Sequence, residues 1–376
     1  MHKSSAWPLA LIYASLVVYA SLYPFSDWRD QGIAPWSFVA APWPKYWGSF
    51  DVVANALGYG PLGFLLALGV LRNAPAADGR GRWAVGVALL LAALLSFLME
   101  TLQSYLPVRV PSNLDLVLNA SGALLGALLA SWLQRWGAID SWSRFRARWF
   151  VADARGALVL LCIWPVALLF PASVPLGLGQ VLERLELVVA EQLADTPFLA
   201  LLPVRDIELQ PLWPGTELLC VMLGALVPCL LGYGVICRLW RRLAFVLLVL
   251  AVGAGATALS AALTYGPSHA WAWLSLPVRY GLAAGALAAL LLVWLPARAC
   301  MALLLLALAA QLALLNQAPE GAYFAQTLHI WEQGRFIRFH GLAQWLGWLW
   351  PYVALGYVLV RLSQAQGLNS GHESHR

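Results

Sequence analysis

Ten stretches of the chain are apolar with few interruptions over about the length of a membrane helix. They are roughly residues 7–24, 51–71, 83–104, 114–134, 156–172, 216–237, 243–264, 277–295, 299–316 and 341–360. A helix rises about 1.5 Å per residue and the hydrocarbon core is about 30 Å thick, so about 20 residues reach across. None of the ten alternates polar and apolar residues as barrel strands do, and a single segment in lipid must satisfy its own backbone. The pattern predicts an all-α, polytopic integral membrane protein of about ten transmembrane helices. The first stretch is too long for a signal-peptide core and lacks a small-x-small exit, so it is expected to stay as the first span.

The segments between the spans set orientation. Lys and Arg accumulate in short cytoplasmic loops. With the N-terminus inside, alternation leaves only Arg29, Lys45, Arg109, Arg184, Arg205, Arg279, Arg335 and Arg338 outside, of 23 basic residues. Both termini are then cytoplasmic. The most basic inner loop, 137–155, carries Arg144, Arg146, Arg148 and Arg155. It is expected to divide a four-helix domain (1–136) from a six-helix domain (156–362). The long outer loop, 173–215, contains an amphipathic stretch with Leu178, Val181, Leu182, Leu185, Val188 and Val189 on one helical face, and Glu183, Glu186 and Glu191 on the other. Its acidic side offers no attraction to anionic lipid, so burial of the Leu/Val side would hold it along the outer interface. The polar end, 363–376, is expected to be a disordered tail.

Composition removes whole classes of function. The chain is 61% hydrophobic and 11% charged, against roughly 25% charged in soluble domains, which excludes an ordinary soluble globule. The net charge of +5 is scattered singly and in pairs. With no basic block or basic helix, nucleic-acid binding is not expected. Five cysteines fall within or at the ends of apolar runs without CxxC spacing and read as packing residues, so the sequence calls for no cofactor and no metal.

Candidate chemistry lies where polar residues interrupt the spans, because a charge near the bilayer centre costs roughly 2.5 to 3.5 kcal/mol on insertion scales. The second span opens with Asp51, Asn55 and Gly58. The third closes with Ser96, Glu100 and Gln103. The fourth opens with Asp115, Asn119, Gly122 and Gly126. Each set recurs at i, i+4 and i+7 and so shares one helical face. The short loop 107–111 keeps Arg109 nearby. A shared pocket near the outer surface follows, polar above and closed below by small residues that let helices approach.

These residues form an ordered series across three spans. They are Asp51-Val-Val-Ala-Asn55-Ala-Leu-Gly58-Tyr-Gly-Pro61-Leu-Gly63-Phe64, then Ser96-Phe-Leu-Met-Glu100-Thr-Leu-Gln103 with Pro107 and Arg109, then Ser112-Asn-Leu-Asp115-Leu-Val-Leu-Asn119 with Gly122 and Gly126. The series resembles the VanZ-like membrane protein family over about residues 10–135. The resemblance implies a bacterial plasma-membrane protein tied to the cell envelope, and the family's namesake is associated with low-level resistance to the glycopeptide teicoplanin.

The residues themselves fit two kinds of work. In a catalytic site Glu100 would act as general base and Arg109 would hold an anionic group, with Asp115 beside them. Asn55, Gln103 and Asn119 would orient the substrate, with Asp51 at the rim. Without catalysis, the same groups would bind a membrane lipid or a lipid-linked glycan. A purely structural role is the alternative, with amides joining helices and Asp51 and Asp115 favouring helix N-termini. Asp51, Glu100 and Asp115 as hard-oxygen metal ligands is a weaker reading, since no signature spacing supports it. Arg335 and Arg338, before the last span, have the spacing to grip a phosphate or to anchor a span at the interface. His329 and Glu332 form an isolated pair too weak for a metal site. A transporter or flippase would need polar residues continuing inward, and spans two to four show none below Asn55 and Asn119. A scaffold for envelope assembly is the remaining class.

Overall fold

The computed structural model describes residues 6–23, 25, 27–44, 49–73, 80–170, 172–194, 196–198, 212–317 and 337–373. The described helices are α1 (Ala6–Leu22), α2 (Ser49–Asn73), α3 (Arg80–Gln103), α4 (Asn113–Arg135), α5 (Ala138–Trp149), α6 (Arg155–Ala167), α7 (Leu182–Leu193), α8 (Pro214–Tyr233), α9 (Leu239–Tyr265), α10 (Leu276–Leu292), α11 (Ala297–Leu315) and α12 (Ile337–Glu373). A helix occupies each of the ten apolar stretches. Among the described residues there is no strand, only an isolated bridge between Phe150 and Ile236. By length and composition α3, α4, α8, α9 and α11 are able to cross a membrane, and α1, α6 and α10 are shorter apolar helices.

The chain forms two compact units, Met1–Arg148 and Trp149–Arg376. In the first, small residues stack at helical spacing. Ala84, Ala88 and Ala92 on α3 meet Tyr59, Leu62, Leu66 and Ala67 of α2 and Ala123, Ala127 and Ala130 of α4 in one core. The closest approach is between α2 and α4. A Cβ on Gly63 would lie 2.0 Å from the Ala123 carbonyl oxygen, one on Gly122 2.0 Å from that of Ala56, and one on Gly126 1.9 Å from that of Gly60. Only glycine permits these contacts. Gly58, grouped with Gly122 and Gly126 from the sequence, has nothing within 4 Å of its Cβ position. It lies outside this contact, and its carbonyl instead accepts the Tyr13 hydroxyl at 2.9 Å. Gly63 is the α2 glycine that admits α4, whereas a Cβ on Gly60 would come no closer than 3.7 Å, to the Gly122 carbonyl oxygen.

The second unit is built around α8, whose residues from Val221 to Tyr233 are almost all buried. Arg242 joins three helix ends at the start of α9. Its guanidinium donates to the carbonyls of Tyr233 (2.8 Å), Val293 (2.9 Å) and Leu295 (2.7 Å), with a longer bond to Ile236 (3.3 Å). These oxygens lie at or beyond the C-terminal ends of α8 and α10, where a cation also complements the helix dipole.

Three parts differ from the sequence reading. The basic loop holds a helix, α5, set off from α4 by Gly137 at φ +71°. The first part of the outer loop is not interfacial: Val174, Leu176 and Leu178 are buried in the core of the second unit, and Gln311 donates to the Leu176 carbonyl at 3.3 Å. Leu178 and Val181 thus precede the amphipathic helix, which starts at Leu182. Its N-terminus is capped from outside, since the Asn316 side-chain oxygen accepts the N–H groups of Val181 and Leu182, both at 3.1 Å. Leu185 and Val188 remain more than half exposed. Finally, α12 continues through Glu373 and takes in most of the polar segment read as a disordered tail.

Candidate functional site

The alanine stripe of α3, Ala84-Ala88-Ala92, continues at the same spacing into Ser96 and Glu100. On α2 the inward face carries Asn55 and Tyr59, and on α4 it carries Asp115 and Asn119. The packing that aligns the small residues therefore brings the polar ones together at one end of the unit. Asn55 donates to Asp115 Oδ1 at 2.6 Å, joining α2 to α4. Asn119 donates to Ser96 Oγ at 3.0 Å, joining α4 to α3. Ser96, Glu100 and Asn119 are almost wholly buried, at 0%, 3% and 6% exposure, whereas Asn55 and Asp115 are half-buried.

Glu100 also serves α4. Its Oε2 accepts the backbone N–H of Ser112 at 2.8 Å. Ser112 is the N-cap residue, and its side chain accepts from the N–H groups of Leu114 and Asp115. The carboxylate thereby satisfies an N–H that has no partner within α4.

Arg109 and Gln103 also tie this end of the unit to α1. Arg109 Nη2 donates to the carbonyls of Tyr23 (2.8 Å) and Ala20 (3.4 Å). Gln103 donates to that of Ser21 at 2.9 Å. Both thus bind the C-terminal end of α1, whose last carbonyls have no helical partner. Asp51 lies in the first turn of α2 with its side chain outside the described residues, as does the side chain of Arg338 at the start of α12. Arg335, His329 and Glu332 lie outside the described residues. Among the described residues no group of three or more His, Cys, Asp or Glu is placed to hold a metal ion.

Tyr59 is a residue that the sequence reading passed over, although it follows Asn55 at i+4 on the same face. It is 5% exposed and lies within electrostatic reach of Glu100 and beside Ser96. Its hydroxyl meets the Ser96 hydroxyl, and Asn119 Oδ1 is buried with no hydrogen-bond partner among the described residues. The middle of the cluster therefore holds a carbonyl oxygen whose capacity is unused, close to two hydroxyls and a buried carboxylate.

Residues 5–134 match the VanZ/LLP1 family model. The match covers the N-terminal part of the chain, takes in α1 to α4, and includes every residue of the polar cluster. Comparison with curated proteins and with solved structures gave no match. The VanZ-like part contains the polar cluster, and α5 to α12 lie beyond the matched region.

Proposed function

We propose that the VanZ-like unit binds the hydroxyl-bearing headgroup of a cell-envelope lipid or lipid-linked glycan, taken from the outer leaflet of a bacterial plasma membrane. The observation that carries this reading is the buried, unpartnered Asn119 Oδ1, in a cluster that also holds the Tyr59 and Ser96 hydroxyls and Glu100. A buried polar group without a partner costs about 1 to 3 kcal/mol, so such an atom implies a guest able to donate a hydrogen bond. A headgroup hydroxyl does so and can also accept one. In this reading Glu100 and Asn119 accept from the ligand, Tyr59 donates to it, and Asn55 with Asp115 forms the half-buried entrance. Gln103 and Arg109 hold α1 in place. Were the bound hydroxyl also a nucleophile, Glu100 would be the base that receives its proton.

Binding is favoured over transport by the contact beneath the cluster. Gly63, Gly122 and Gly126 bring the α2 and α4 backbones together there, which leaves no inward path between these two helices. The ten spans and the cytoplasmic position of both termini belong to the same proposal, as does any link between this chain and glycopeptide susceptibility.

The test is mass spectrometry of lipids co-purified with the full chain. Wild type is expected to carry an envelope lipid rich in hydroxyl groups, and Glu100→Gln and Tyr59→Phe to lose it while remaining folded in the membrane. Retention of the same lipid by both folded variants would overturn the assignment.

A further inference from the structure

A cavity of about 560 Å³ lies within the second unit, between the N-terminal end of α8, the outer half of α9, the α9–α10 connection and the chain following α6. Its volume is within the range of about 300 to 1,000 Å³ typical of small-molecule sites. Along α9 it runs from Thr257 to Tyr265, about 12 Å at the helical rise. One end is therefore at the ends of the helices and the other is well down among them.

Its walls are chemically uneven. Glu217, in the first turn of α8, is the sole carboxylate among the residues described on them, and neither Lys nor Arg is among those residues. The described partner of Glu217 is the Ser275 hydroxyl, at a long 3.3 Å. The nearby Arg279 is instead bonded through Nε to the Leu274 carbonyl at 3.0 Å. Phe170, Tyr265 and Trp273 add aromatic faces, which attract cations through the ring quadrupole. At the deeper end Thr257 Oγ1 is buried with no hydrogen-bond partner among the described residues.

We infer that this cavity binds an amphiphile with an ammonium headgroup, the head at Glu217 among the aromatic rings and the apolar body extending along α9 toward Thr257. An anionic head would meet the Glu217 carboxylate with no Lys or Arg among the described wall residues to offset it, the one basic side chain there being His269, whose Nδ1 is 3.0 Å from the Ser268 hydroxyl. A small cation alone would leave the apolar part of the cavity unused. This inference is independent of the ligand assigned to the VanZ-like unit.

The test is equilibrium binding of radiolabelled dodecyltrimethylammonium to the purified full chain in an uncharged detergent. Saturable binding is expected, with dodecyl phosphate and tetramethylammonium competing at least tenfold more weakly than the unlabelled probe. Glu217→Gln, whose amide oxygen still accepts from Ser275, is expected to weaken binding at least tenfold at unchanged melting temperature. Ala261→Phe, which fills the cavity, is expected to abolish it. Trp273→Leu supplies a second reading independent of the charge and is expected to weaken binding severalfold. Equal competition by the phosphate, equal competition by tetramethylammonium, or unaltered affinity in folded Glu217→Gln would each overturn the inference.

Discussion

Glu100 performs for α4 a task that helices commonly assign to their own third residue. In a capping box the acid at that position returns to the N-cap N–H. Here Asp115 holds that position but accepts from Asn55, and Glu100 reaches across from α3 to take the Ser112 N–H. The carboxylate thus has a structural duty beside any duty toward a ligand, and substitutions separate the two. Glu100→Gln keeps an acceptor for Ser112 and is expected to lower stability by no more than about 1 kcal/mol, the loss of a charge–dipole interaction. Glu100→Ala strands a buried N–H and is expected to cost about 1 to 3 kcal/mol. Thermal melts in detergent check both. Arg109→Ala removes two bonds to the end of α1 and is expected to destabilise by about 1.5 to 3 kcal/mol, the scale for hydrogen bonds from a charged donor. Loss of ligand without loss of stability in that variant would instead give Arg109 a direct part in binding.

At the scale of elements, the join between α2 and α4 depends on which glycines face each other. Gly122→Ala would set a methyl group 2.0 Å from the Ala56 carbonyl oxygen and 2.8 Å from its carbon, so the two helices must part. A cost of about 1 to 3 kcal/mol or more is expected, with ligand binding falling alongside because Asn55 and Asp115 separate. Gly58→Ala meets open space and is expected to be neutral or, through helix propensity, stabilising by up to about 1 kcal/mol. Comparing the melts of these two variants checks the register of the pair. The capping of α7 by Asn316 makes a similar prediction. Asn316→Leu leaves the Val181 and Leu182 N–H groups without this acceptor, and α7 is expected to be cut by protease at a lower dose while α8 to α11 stay intact.

For the whole molecule, the proposed alternation of ten spans would place both termini and the α8–α9 connection in the cytoplasm. Cys237, exposed in that connection, is a native probe. An impermeant thiol reagent is expected to leave it unlabelled in intact cells and to label it after permeabilisation, and a reporter fused after Arg376 is expected to remain inside. Labelling of Cys237 from outside would change the span count. Arg242 links the scales, since a residue that sequence rules read as an orientation signal also holds together the ends of α8 and α10.

The chain alone determined its ten apolar helices, because the lengths of its apolar runs and the need of a backbone in lipid to satisfy itself leave no other solution. It also determined that Asn55, Glu100, Asp115 and Asn119 share inward faces, since an i, i+4 spacing is a property of one helix. Which partner each side chain meets was settled by tertiary structure. The choice of Gly63 over Gly58 depends on how α2 crosses α4, and the bonding of Arg109 to α1 depends on where a helix more than eighty residues earlier comes to rest. The cavity by Glu217 was invisible for the same reason: its walls come from segments far apart in sequence, and empty space has no residue to announce it.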